Sequence, residues 1–162
     1  MSAIRRGRKF AIHDQWRHRM LSHNDWQHKH DQFLSLSQAL LHKSEECLSH
    51  LELIPNDEDA TGCLLTTLRK LAQEAEAVPV PCIADFSRQL CQLLKTGGQA
   101  NELSQEALLA VKNCLTLMYW QVELLDPHTG ELTMDDNEQL ELLEKLASVS
   151  AQSASPKDAT RQ

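Results

Sequence analysis

The chain has 162 residues and a formal charge of −7 at neutral pH, enough for one well-buried core and too little for several. Gly and Pro number five each and aromatics only 4%, while Leu, Ala, Gln and Glu are the commonest residues, which favours helices and argues against a strand-rich fold. No apolar run approaches the ~18–20 residues that span a bilayer, and the basic start MSAIRRGRK leads into histidine-rich sequence instead of an apolar signal core. The expected location is therefore the cytoplasm, with no membrane partner.

Residues 1–11 read as a flexible basic arm. From Ile12 the pattern turns helical: Ile12, Trp16 and Met20 are four apart, and Trp26, His30 and Phe33 continue at helical spacing into Leu34, Leu40, Leu41, Leu48 and Leu51. The pattern allows one long helix or two; if there are two, an extra N-terminal amphipathic helix and the first core helix, the break is expected at Asn24-Asp25, since both residues favour caps over helix interiors. Pro55-Asn56-Asp57 ends that core helix.

The second core helix starts near Asp59 or Ala60, with Leu64, Leu68, Leu71 and Ala75 in one stripe. Val78-Pro79 ends it, because the residue before a proline is pushed out of the α region. Pro81 opens the third helix at its first turn, where a missing N–H loses nothing; Ile83, Phe86, Leu90 and Leu93 are its expected core face, and Gly97-Gly98 its end. Ser104 caps a fourth helix carrying the cleanest stripe of the chain, Leu108, Val111, Leu115, Met118, Val122 and Leu125. Asp126 to Gly130 is a turn by composition. A short last helix follows from about Asp135 to Ser148 with Leu140, Leu143 and Ala147 on one face, and the polar residues 150–162 are expected to be disordered. The expected fold is all-α: an antiparallel four-helix bundle (about 31–54, 60–77, 82–96 and 104–126) with an extra N-terminal and a short C-terminal helix, one domain spanning 12–149.

Charge is unevenly placed. Residues 1–30 carry seven Lys or Arg against two Asp, a net of +5, leaving −12 on the remainder to make the overall −7. A basic arm could touch nucleic acid or an anionic surface, yet the acidic body repels phosphate, so a nucleic-acid partner is not expected. His13, His18, His23 and His28 recur every five residues, a step that turns each ring by ~140° and places no two of them on one helix face at ligand spacing. His23 and His30 share a face but stand ~10 Å apart, so no metal site is expected. The five cysteines (Cys47, Cys63, Cys82, Cys91, Cys114) are odd in number and lack CxxC spacing, which reads as free thiols on or beside apolar helix faces. Trp16, Met20 and Trp26 mark a helix that docks on the body or on a second copy, giving a homodimer if the body offers it no groove.

The succession of FLSLSQALL, LLTTLRKLA, the turn Val80-Pro81-Cys82-Ile83-Ala84, FSRQLCQLLKTG and a long helix followed by a short one resembles histidine phosphotransfer domains, most closely the N-terminal domain of chemotaxis-type histidine kinases, over roughly residues 31–147. Members of that family carry H-x-x-K-G on the second bundle helix. Counting back from the Val-Pro turn puts the phospho-acceptor at Arg69, the lysine at Ala72 and the glycine at Gln73, so all three differ. Arginine stays protonated and cannot act as the nucleophile, and no histidine of the chain has the motif around it. The resemblance implies a bundle without the phosphotransfer chemistry, one that keeps the docking surface.

That surface is expected around Arg69, Lys70, Gln73, Glu74 and Glu76, with Arg88 beside it, and its partner is a receiver domain, a histidine kinase or another regulator. No P-loop, G-x-G-x-x-G, G-x-S-x-G or H-E-x-x-H is present, and carboxylate pairs such as Glu74/Glu76 sit in exposed helical contexts, so neither enzyme activity nor a cofactor is expected. The function expected is a non-catalytic regulatory or adaptor protein of bacterial signalling. The alternatives are a phosphorelay protein using an unorthodox histidine, and a metal- or pH-responsive oligomer or anti-activator or chaperone-like binder.

Overall fold

In the computed structural model five helices follow one another: α1 Ser2–Leu53, α2 Glu58–Ala77, α3 Pro81–Gly97, α4 Gln105–Leu124 and α5 Asn137–Ala154. The structure describes residues 2–78, 80–97 and 103–154, with side chains for 27–78, 80–95 and 103–151. Among these the sole strand-like feature is an isolated bridge between Leu125 and Leu132, so the fold is all-α.

Each short connection is closed by a side chain suited to it. Asp57 caps α2, its Oδ1 accepting from the backbone N–H of Asp59 at 3.0 Å and of Ala60 at 3.2 Å. Its other oxygen lies 2.6 Å from His50 Nε2 near the end of α1, so one carboxylate holds the end of one helix and the start of the next. These bonds, the Ala60 N–H first and the His50 ring second, hold the Asp57 carboxyl below its ordinary value of 3.8. A depressed folded pKa contributes stability at and above the unfolded value and loses it as pH falls through the folded one. Asp57→Ala is therefore expected to lower Tm at pH 6–7, and its difference from the wild type to shrink towards zero in thermal melts stepped down below pH 3.8.

Between α2 and α3 the Val78 and Val80 side chains are both buried, and Val80 N–H donates to Ala75 O at 2.9 Å, carrying the end of α2 into the turn. Ser104 Oγ caps α4 by accepting from Ala107 N–H at 3.1 Å. After α4, Asp126 Oδ1 accepts from His128 and Thr129 N–H, and Gly130 takes φ 70°, a left-handed conformation open to glycine at no steric cost.

The core forms where the stripes meet. α1 packs on α2, α2 on α3, α3 on α4 and α4 on α1, and α5 lies against α3 and α4. Phe33, Leu41, Leu48 and Leu51 of α1, Leu64, Leu68 and Leu71 of α2, Ile83, Phe86 and Leu90 of α3, and the whole predicted stripe of α4 are buried. Ser37 and Ser44 are also buried on α1, their hydroxyls donating back to Leu34 O and Leu40 O. Gln121 of α4 donates from Nε2 to Gln139 Oε1 of α5 at 3.0 Å, a buried polar link between those two helices.

Four details depart from the sequence reading. α1 runs unbroken through Asn24-Asp25, because two poor helix formers inside a long helix cost only tenths of a kcal/mol each relative to alanine; the arm and the extra N-terminal helix are the first turns of the first core helix. On α3 the last buried leucine is Leu94, with Leu93 partly covered. On α5 the covered side is Gln139, Leu143 and Leu146, while Leu140 is 47% exposed: the stripe read from the sequence is rotated by about a fifth of a turn because a polar residue, Gln139, belongs to the buried face. α5 also continues to Ala154, into the stretch expected to be disordered; residues 155–162 lie outside the described residues.

Candidate functional site

α2 and α3 bring one face each to a shallow groove of about 370 Å3. Arg69, Gln73 and Glu76 come from α2 and Arg88, Gln92 and Lys95 from α3, over a floor of Ala72 and Cys91. The spacing of three and four residues on both helices is what aligns each set on one side. Arg88 bridges the groove to Glu76 and also reaches Asp85 of its own helix at 3.7 Å. Arg69 and Lys95 form no ion pair or hydrogen bond within the described residues. Burial pushes the Cys91 thiol up, and Arg69 and Lys95 pull against that shift. Cys91 Sγ lies 3.8 Å from Leu65 O. The lining thus carries three cations and one carboxylate on a chain whose net charge is −7.

Of the six residues expected to form the face, the structure brings together Arg69, Gln73, Glu76 and Arg88. Glu74 lies on the other side of α2, in a hollow shared with Phe33 and Leu36 of α1, and exposed Lys70 lines neither hollow. A helix turns 100° per residue, so consecutive exposed residues cannot share one face. Lys95, Gln92 and Cys91 were missed; the signal was present, since Arg88, Gln92 and Lys95 repeat at four and three residues, the period already used for the core.

At the three positions matched to the phosphotransfer motif, Arg69 and Gln73 are exposed and Ala72 is buried. No histidine lines the groove. Those described elsewhere make local contacts: His42 pairs with Glu46 at 3.3 Å, His50 with Asp57, and buried His30 lies 3.9 Å from Asp31. Among the described residues no group of three His, Cys, Asp or Glu could hold a metal ion. All five cysteines are free, and burial alone pushes the Cys114 thiol up to about 12. Among the described residues no helix is long and apolar enough to cross a membrane. Trp16, Met20 and Trp26 lie on the N-terminal half of α1, and their side chains are outside the described residues.

No family model, curated protein or solved structure matches this chain. The likeness to phosphotransfer domains therefore stands on the quoted residues, and the groove on its own geometry.

Proposed function

We propose that this chain is a non-catalytic regulatory or adaptor protein of bacterial signal transduction that docks an acidic surface of a partner protein in the α2–α3 groove, the partner being a receiver domain, a histidine kinase or another regulator. The observation that carries the reading is the pair of cations Arg69 and Lys95, without an ion pair among the described residues, lining one groove on an otherwise acidic protein. Charge of one sign gathered in a concave site speeds encounter with an oppositely charged partner and repels other acidic surfaces. Arginine at the phospho-acceptor position supports binding over transfer, because its guanidinium is always charged and well shaped for carboxylates. The signalling context comes from the sequence resemblance. The cyclic packing of α1 to α4 and the short α1–α2 and α2–α3 connections support an antiparallel four-helix bundle as the scaffold. Five free thiols fit a reducing cytoplasm.

The test is calorimetric titration of the purified chain against receiver domains and histidine kinases of its host, wild type beside Arg69→Glu/Lys95→Glu. The expected result is a partner whose affinity falls on the order of tenfold or more in the double variant and also weakens with added salt, at unchanged helicity. Binding indifferent to both changes, or no binding by any member of either class, refutes the reading.

A further inference from the structure

Where α4 gives way to α5, a hollow of about 570 Å3 opens against the first turn of α3. Its floor is buried: Gly130, Gln139 and, at 1% exposure, Gln121. Its rim carries Glu131, Asp135 and Asp136, all exposed, and no Lys, Arg or His is among the residues that line it. The loop bearing the rim is held at both ends. Leu125 bridges Leu132, Asp126 N–H donates to Glu131 O at 2.9 Å, and Asp135 Oδ1 accepts from Asn137 N–H at 3.3 Å where α5 begins.

Capping accounts for Asp135 and solvation for the other two carboxylates, so the rim by itself is no site. Gln121 adds a separate observation. Its Nε2 is committed to Gln139 Oε1, but its own Oε1 is buried and meets no hydrogen-bond donor among the described residues. Buried acceptors are nearly always satisfied, and one left bare is costly. The floor therefore calls for a donor and the rim for positive charge, while Pro81, Leu132 and Met134 supply apolar wall beside them. A metal ion needs several ligands converging on one point, and no group of three His, Cys, Asp or Glu among the described residues does so. An ammonium group on a carbon chain meets all three demands, since it brings N–H donors, a charge and apolar surface, and the volume is that of a small-molecule site.

We infer that this hollow binds an alkylammonium group, which donates to Gln121 Oε1 beneath the rim of Glu131, Asp135 and Asp136 while its carbon chain lies on Leu132 and Met134. The site shares no residue with the α2–α3 groove and does not depend on the function proposed for it. Gln121 belongs to α4 and Gln139 to α5, so the ligand would sit on the buried link between those helices. The same ammonium can arrive on a free diamine or on a lysine side chain, and the test separates the two sources.

Heteronuclear NMR titration of the full chain with putrescine, and separately with Nα-acetyl-lysine methylamide, reads the side-chain amides of Gln121 and Gln139. Saturable shifts are expected there with at least one of these probes, the tighter of the two identifying the source, and none with the diol analogue of putrescine. Glu131→Gln/Asp136→Asn alters exposed positions and keeps the core; it is expected to weaken the tighter probe by on the order of tenfold. Glu138→Gln/Glu141→Gln removes the same charge from exposed positions of α5 that do not line the hollow and is expected to leave the affinity unchanged. Absence of saturable shifts with both amines overturns the inference, as does equal binding of the diol. Equal weakening by the two double variants also overturns it, since that means diffuse attraction to an acidic protein, and so does calcium chloride saturating the same amides more tightly than either amine.

Discussion

Phe86→Ala is expected to remove about 3–5 kcal/mol of folding stability, a large share of the ~5–15 kcal/mol typical of a domain. Phe86 is fully buried on α3, the helix that touches α2, α4 and α5. Truncating its ring loses the transfer free energy of the largest fully buried side chain among the described residues and leaves a cavity bounded by helices that cannot all move inward. Urea titration read by circular dichroism gives the value, and the midpoint should fall with an unchanged slope. The same series checks the register of α3: Leu94→Ala is expected to cost about 2–4 kcal/mol and Leu93→Ala much less, because only Leu94 is buried. Equal losses at the two leucines would show that α3 packs in another register.

Leu146→Ala is expected to cost about 2–5 kcal/mol, with its effect concentrated in α5. Among the described side chains of that helix Leu146 alone has no exposed surface, and only Leu143 and Gln139 are buried beside it. With so few anchors, α5 is the element whose local opening needs least free energy. In native-state hydrogen exchange the α5 amides should lose protection in this variant while those of α2 keep theirs. Leu140→Ala, at a position the sequence pattern places on the buried side, is expected to change stability by less than about 0.5 kcal/mol. If the Leu140 change proves the costlier one, the face assigned to α5 is wrong.

How much of this was readable in advance depended on how one-sided each helix is. α2 and α4 have long leucine stripes with conventional caps at Asp57 and Ser104, and both elements and faces followed from spacing. α5 misled because its buried side contains Gln139, whose hydrogen bond to Gln121 exists only once two distant segments meet; periodicity scores a glutamine as solvent. α1 misled at Asn24-Asp25 because local propensity is weak against the cooperativity of a long helix. The groove was half legible. The α2 residues came from the resemblance, whereas Lys95, Gln92 and Cys91 required knowing which side of α3 turns towards α2. The exposed Leu109, Trp120 and Leu124 of α4 were overshadowed by its buried stripe, whose spacing says nothing of the outer side.

The unbroken course of α1 also bears on how its N-terminal half becomes ordered. Starting a helix is costly, since several residues are fixed for the first hydrogen bond, while extending one adds a bond for each residue fixed. In this chain the start is supplied by Phe33 to Leu51, clamped by α2 and α4, and the preceding turns need only propagate from it. Those turns thus borrow their helicity from the bundle. Cut free as a peptide of residues 1–30, they should be largely coil, and anything that loosens the α1 end of the core should unwind them from a distance.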